Sequence, residues 1–143
     1  MDSFDIGLFA GEAAILDVRG EKVVKMRPEW EEVFKKYPVI LFCTGHDVSW
    51  GTPRYYGDYP VFEAEIALRM KDQGVRIAGF DSPSPDRSPY PFHAVFLEEE
   101  RFLVENLQGL SRLTGKKAVD FFVFPLKIRA EASLVRAVAL SRD

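Results

Sequence analysis

Short apolar runs alternate along this chain with segments whose apolar residues are spaced as in a helix. Residues 13–18 (AAILDV), 38–45 (PVILFCTG) and 75–81 (VRIAGFD) predict strands, and the last two are continuous apolar runs typical of strands covered on both faces. Residues 28–37 (PEWEEVFKKY) predict a helix, with proline in the first turn, acids early and lysines late. Residues 62–74 predict a second helix that stops at a glycine. This alternation indicates an α/β sheet.

The second half of the chain predicts a short helix and three further strands. The helix covers residues 93–97, the first strand 102–105, and residues 106–116 are irregular. Two longer apolar runs at 118–128 and 134–140 predict the last strands, which could pair as a hairpin. The resulting sheet would contain both parallel and antiparallel pairs.

Two long connections carry polar and aromatic side chains. Residues 46–60 (HDVSWGTPRYYGDYP) mix aromatic residues with glycine, proline and aspartate, and predict an irregular aromatic loop. Residues 82–91 (SPSPDRSPYP) contain four prolines, which excludes a helix there. The second loop is either a linker or part of a ligand site, because loops after strands of α/β folds commonly bind ligands.

Size and composition favour a single globular domain that covers residues 1–143. Hydrophobic residues make up 47% of the 143 residues, and the net charge of -3 comes from acidic and basic residues mixed along the chain, so nucleic acid is an unexpected partner. No apolar run is long enough to cross a membrane, and the first residues lack the features of a signal peptide, which predicts a cytoplasmic protein. Cys43 is the only cysteine. A metal would therefore be bound by imidazole and oxygen ligands.

His93 and Glu105 lie twelve positions apart in the stretch HAVFLEEERFLVE. Imidazole and carboxylate are metal ligands, but a catalytic zinc site generally uses three protein ligands. The alternative for His93 is a histidine at the start of a short helix, hydrogen-bonded to a backbone carbonyl group. The alternative for Glu105 is an exposed acid at the end of a strand, although the alternation of the strand points it to the same side as Leu103.

Several blocks of the sequence resemble the cyclase family of metal-dependent hydrolases, which includes bacterial kynurenine formamidase. These blocks are TGHDVSWGTPRYYGDYP, GVRIAGFDSPSPD, HAVFLEEERFLVENLQGL, FFVFPLKI and VRAVAL, in that order and with similar spacing. The resemblance implies a mixed β-sheet or barrel with flanking helices, of the swivelling β/β/α kind. It also implies a site for a pair of zinc or manganese ions, in which His93 and Glu105 match positions that contribute a histidine and a glutamate.

The sequence departs from the family pattern at its beginning. Family members carry a His-x-Gly-Thr-His-x-Asp motif, which supplies most of the metal ligands, upstream of the block that EAAILDV resembles. Residues 1–10 contain no histidine, so we predict an N-terminally truncated form of the fold that is incomplete as a metal site on its own. A second chain or an upstream segment would supply the missing ligands. An exposed sheet edge would favour a homo-oligomer or a partner chain.

The function that the resemblance implies is metal-dependent hydrolysis of an aryl formamide such as N-formylkynurenine, in tryptophan catabolism, or of a similar aromatic amide. The alternative is a catalytically inactive family member that acts as a ligand-binding or oligomeric structural subunit. Six residues are predicted to bind substrate: His46, Asp47, Trp50, Tyr55, Tyr56 and Asp81. His46 could also bind a metal or be a polar loop residue, Asp81 could cap its loop, and the aromatic residues could be packing contacts.

Overall fold

The structure, a computed structural model, describes Met1 and residues 3–142. Its strands are β1 (Ala10–Asp17), β2 (Val23–Val24), β3 (Val39–Cys43), β4 (Val61–Phe62), β5 (Ile77–Phe80), β6 (Phe102–Val104), β7 (Val119–Pro125) and β8 (Val135–Ser141). Its α-helices are α1 (Trp30–Lys36), α2 (Pro53–Gly57), α3 (Ala64–Asp72) and α4 (Pro91–Phe96), with 3-10 turns at Ile6–Phe9, His46–Ser49 and Leu110–Arg112.

Six strands form one mixed sheet in the order β6-β5-β3-β1-β7-β8. The pairs β6–β5, β5–β3 and β3–β1 are parallel, whereas β7 runs antiparallel to β1, and β8 runs antiparallel to β7. The predicted mixed sheet and its final hairpin are therefore confirmed. Because the four parallel strands end at the same edge, the loops that follow them come together there.

Both faces of the central strands are buried. On one face, Ile40 and Phe42 of β3 pack beneath α1, α3 and α4, and the rings of Phe42 and Phe80 stack with centroids 5.3 Å apart. On the other face, Leu41 and Ile77 pack with residues of the first and last 3-10 turns and of β6 and β7. The continuous apolar runs thus correspond to strands covered on both sides, as the sequence predicts.

The aromatic segment of residues 46–60 is more regular than its composition predicts. The prediction of an irregular loop is wrong for most of this segment, because it contains the turn His46–Ser49 and the helix α2. Pro53 begins α2 and needs no hydrogen-bond donor at that position. The two-residue strands β2 and β4, which form a small parallel sheet of their own, are too short to produce a periodic pattern.

Strand β8 lies at one edge of the sheet and exposes apolar side chains. Ala137 and Ala139 pack against the buried cluster, whereas Val138 is 43% exposed and Leu140 is 54% exposed. The neighbouring Phe124 on β7 is also exposed. No helix among the described residues is long and apolar enough to cross a membrane.

Candidate metal site and its surroundings

His93 lies in the first turn of α4, directly after the proline-rich loop, and Asp86 of that loop holds it in place. One oxygen of the Asp86 carboxylate, Oδ2, accepts hydrogen bonds from the backbone N–H groups of Phe92 (2.7 Å) and His93 (3.2 Å). The other oxygen, Oδ1, lies 2.6 Å from Nδ1 of the His93 ring. Asp86 is 2% exposed. A single buried carboxylate therefore fixes both the start of the helix and the orientation of its imidazole.

The opposite ring nitrogen of His93 faces Glu105, which follows β6 directly. Nε2 of His93 and Oε1 of Glu105 are 3.4 Å apart, and both side chains are about 30% exposed, with 28% for His93 and 30% for Glu105. The fold thus brings together the two residues that the sequence singles out. Their role as metal ligands remains a prediction.

The arrangement of Asp86, His93 and Glu105 has the form of a metal-ligating histidine with its supporting carboxylate. Histidines that bind metals usually donate their second ring N–H to a carboxylate or carbonyl group, which fixes the tautomer and leaves the other nitrogen as the ligand. Sequence reasoning missed Asp86. An acid shortly before a helix that begins with proline could have indicated a capping residue, although not its contact with the ring.

The two carboxylates raise the pKa of His93 above that of a free histidine. The hydrogen bond with Glu105 is the largest cause, the bond with Asp86 adds to it, and burial opposes both. A protonated His93 would bridge the two carboxylates. A metal ion needs the neutral imidazole, so protons and metal compete for this nitrogen.

This competition predicts a measurable titration of His93. In the metal-free protein, the NMR signals of the His93 ring are expected to titrate above the ordinary value of 6.5. The ion pair should stabilise the fold fully below that value and lose its contribution as the pH rises through the raised pKa. Glu105→Gln should lower the titration midpoint, whereas Glu100→Gln, a change at an exposed acid outside the site, should leave it unchanged. A midpoint at or below the ordinary value would contradict the observed geometry.

A groove with a volume of about 1110 Å³ opens beside His93 and Glu105. Of the residues predicted to bind substrate, Trp50 and Tyr56 line this groove, and they are 49% and 67% exposed. Apolar side chains from β6, β7 and the N-terminal 3-10 turn form much of the remaining wall. A planar apolar ligand could therefore contact two aromatic rings next to the His93–Glu105 pair.

Two other predicted residues use their polar atoms inside the fold. His46 is 8% exposed, its Nε2 lies 2.8 Å from the backbone oxygen of Tyr55, and its ring stacks on the Tyr55 ring with centroids 5.2 Å apart. Asp47 accepts a hydrogen bond from the backbone N–H of Gly109 at 2.8 Å. The His46 contacts join two parts of the aromatic segment 46–60, and the Asp47 contact joins this segment to the loop after β6. Substrate binding by either residue remains a prediction.

Tyr55 is fully buried, and its hydroxyl group donates a hydrogen bond to Oδ1 of Asn106 at 2.9 Å. Asn106 directly follows Glu105 and has a φ of +61°, in the left-handed region that asparagine tolerates better than most residues. Burial raises the pKa of Tyr55, so the hydroxyl stays protonated as a donor. Tyr55 therefore helps to fix the turn that presents Glu105. A direct substrate contact remains a prediction for this residue.

Asp81 is fully buried at the carboxyl end of β5. Its Oδ1 accepts hydrogen bonds from the backbone N–H of Thr44 (2.8 Å) and from the Thr44 hydroxyl group (2.5 Å), and its Oδ2 accepts one from the N–H of Gly45 (2.9 Å). Burial raises its pKa, and these three bonds oppose the increase. The described hydrogen bonds of Asp81 thus fix the turn after β3 rather than the proline-rich loop that follows it. Its predicted substrate role stays a prediction.

Within Met1 and residues 3–142, no three histidine, cysteine, aspartate or glutamate side chains are arranged so that they could hold a metal ion together. His93 and Glu105 supply two donors, and Asp86 already binds the far side of the imidazole. The described part of the chain therefore contains two candidate ligands rather than a complete set.

The curled mixed sheet with helices on one face is a cyclase-like α/β fold. The histidine–glutamate pair lies where the parallel strands of this sheet end. The Cyclase family model matches residues 1–87 of this sequence, which is more than half of the chain. The chain belongs to the cyclase family. Among curated proteins, none matches the sequence significantly.

Solved structures support the same fold at low sequence identity. The chain is similar to an isatin hydrolase bound to the product analogue thioisatinate, with a TM-score of 0.81 and 17% identity over 99% of this chain and 64% of that one. It is also similar to a potential metal-dependent hydrolase with cyclase activity (TM-score 0.73, 15% identity, 100% of this chain and 71% of that one). A third structure is a predicted metal-dependent hydrolase from Bacillus stearothermophilus (TM-score 0.68, 16% identity, 93% and 64%). The chain thus spans less than two thirds of the isatin hydrolase chain.

Proposed function

We propose that this chain forms part of a metal-dependent amide hydrolase of the arylformamidase type, which acts on an aryl formamide such as N-formylkynurenine or on a similar aromatic amide. The observation that carries the proposal is the position of His93, with Nδ1 held by Asp86 at 2.6 Å and Nε2 facing Glu105 at 3.4 Å. Membership of the cyclase family and similarity to hydrolase structures support it. The expected setting is a cytoplasmic step of tryptophan catabolism.

The donor set fits a divalent cation. An imidazole nitrogen and a carboxylate oxygen suit zinc or manganese, and Nε2 of His93 and Oε1 of Glu105 would be the ligands. When bound, such an ion supplies Lewis-acid activation of water and of a carbonyl group. Asp86 keeps the proton of His93 on Nδ1, which leaves the lone pair of Nε2 directed at the site.

The groove supports an aromatic substrate. The exposed rings of Trp50 and Tyr56 line it together with His93 and Glu105, so an aryl group could stack there while its amide group lies at the histidine–glutamate pair. The apolar walls would exclude water from much of the substrate. The side chains of this chain would thus bind and orient the amide beside the histidine–glutamate pair.

We also propose that the working form contains further polypeptide. A catalytic zinc site generally has three protein ligands, and the described residues supply two. The remaining ligands would come from a second copy, from a partner chain, or from residues that precede this segment in the working protein. The exposed edge strand β8, with Val138 and Leu140, supports contact with another chain.

The proposed function predicts a metal-dependent activity in an assembled protein. The assembled protein, purified with the polypeptide that completes its site, should contain zinc or manganese by elemental analysis, hydrolyse N-formylkynurenine, lose activity to a chelator and regain it with either metal. Light scattering on the same sample should give a mass above that of one 16.3 kDa chain. A metal-free, inactive protein that still binds an aromatic amide would instead favour the alternative, a ligand-binding or structural subunit, and would contradict hydrolysis.

A further inference from the structure

A second cavity, with a volume of about 450 Å³, lies at the carboxyl ends of β1 and β3. Its walls come from residues 20–23 after β1, from residues 44–46, 48 and 49 after β3, from Arg54 and residues 58–61 around α2 and β4, and from Arg87. Among the described residues, none lines both this cavity and the groove beside His93. This volume falls within the range of about 300–1000 Å³ that is typical of small-molecule sites.

Three cationic side chains face this cavity: Lys22, Arg54 and Arg87. None of the three has a described carboxylate within 4.0 Å, whereas eight other lysines and arginines do. Arg87 is held in place, since its guanidinium lies over the Tyr59 ring at 4.5 Å and donates to the backbone oxygen of Tyr59 at 3.0 Å.

The acidic side chains of the cavity only partly balance these charges. Glu21 is engaged in an ion pair with Arg27, outside the cavity, so its charge is already compensated. Asp58 is the other carboxylate that lines the cavity. The cavity lining therefore carries three positive charges and only one carboxylate, Asp58, that has no described ion-pair partner. This excess of positive charge would attract an anion.

The rest of the lining mixes the polar side chains of Thr44, His46 and Ser49 with apolar surface. Val23, Val48, Pro60 and Val61 form the apolar part, together with the Tyr59 ring beneath the Arg87 guanidinium. A bare inorganic anion would leave these surfaces unused. An organic anion could place its charged group at the cations and its apolar body against the valines and the tyrosine ring.

We propose that this cavity is a second ligand site, which binds a small organic carboxylate that has an apolar or aromatic body. Arg54 and Lys22 bind the carboxylate group, since guanidinium and ammonium groups form charge-assisted hydrogen bonds with carboxylates. Arg87 keeps Tyr59 in place as part of the apolar wall. The site needs no metal and shares no lining residue with the groove beside His93 and Glu105.

Benzoate is a suitable probe, and metal-free protein keeps the test separate from hydrolysis. Calorimetry should detect benzoate binding to the unmodified protein, and Arg54→Gln or Lys22→Gln should weaken it by about tenfold. Asp58→Asn, which removes a negative charge from the wall, should strengthen it. Arg129→Gln is a matched control at an exposed arginine outside the cavity and should leave the affinity unchanged.

Several results would overturn this proposal. These are absence of benzoate binding, equal affinity in the Arg54→Gln and Lys22→Gln variants, or equal affinity for neutral benzamide, which would remove the role of charge. Inorganic phosphate that binds as tightly as benzoate would show that the apolar wall contributes nothing. Arg54 is exposed, and circular dichroism of each variant would confirm an unchanged fold before the affinities are compared.

Discussion

Replacement of Glu105 by glutamine is expected to lower the rate of amide hydrolysis by more than about 100-fold. Loss of a residue that only supports a metal ligand costs up to about 100-fold, and Glu105 is a candidate ligand itself. The amide keeps the size of the side chain but removes the negative charge that lies 3.4 Å from Nε2 of His93. His93→Ala should have an effect at least as large, because it removes the imidazole itself. Metal content, measured by elemental analysis, should decrease in parallel with the rate of N-formylkynurenine hydrolysis.

Two further variants make this test specific. Glu100→Gln removes an exposed acid from the turn before β6 and should leave metal content and rate unchanged. Asp86→Asn should lie between these extremes, with a loss of about 10- to 100-fold, because it disturbs the orientation of His93 but leaves both candidate ligands in place. Full activity in a His93→Ala, Glu105→Gln double variant would show that the site has been assigned to the wrong residues.

Replacement of Asp81 by alanine is expected to cause a large loss of stability. The change leaves the backbone N–H groups of Thr44 and Gly45 and the Thr44 hydroxyl group without their acceptor in a buried turn. A buried donor without a partner costs about 1–3 kcal/mol, so the free energy of unfolding should decrease by about 3 kcal/mol or more. Chemical denaturation followed by circular dichroism would measure the difference.

Asp72→Ala is the matched control for Asp81, because Asp72 is exposed at the end of α3 and should change stability by no more than about 0.5 kcal/mol. The same pair distinguishes structure from binding. If Asp81→Ala kept its stability and lost only affinity for an aromatic amide, Asp81 would be a substrate-binding residue rather than the residue that fixes the turn after β3.

Much of the sheet could be predicted from the sequence because its strands differ sharply in pattern. The continuous apolar runs of β3 and β5 report burial on both faces, which only a central strand experiences. The two apolar runs near the C-terminus predict the β7–β8 hairpin for a different reason, since close neighbours in sequence readily pair as antiparallel strands. These patterns involve residues close together in the chain, so they can be recognised in a single sequence without knowledge of tertiary contacts.

The site was harder to predict because its contacts join residues through loop conformation. His93 and Glu105 were found through resemblance to a family, whereas the contact between Asp86 and the His93 ring depends on the path of a proline-rich loop that no periodicity describes. The hydrogen bonds of His46 and Asp47 similarly depend on how the aromatic segment folds back on itself and on the loop after β6. Residue type suggested chemistry at these positions, but tertiary contacts decide what each polar atom is free to do.

The unequal exposure of the two tryptophans gives the protein a built-in optical probe. Trp30, the first residue of α1, is 4% exposed, whereas Trp50 is 49% exposed and lies in the wall of the groove, edge-on to Tyr55. A water-soluble quencher such as acrylamide would therefore report almost entirely on Trp50. Fluorescence titration could follow occupancy of the groove without a label or a chromogenic substrate, and a Trp50→Phe variant would supply the silent background.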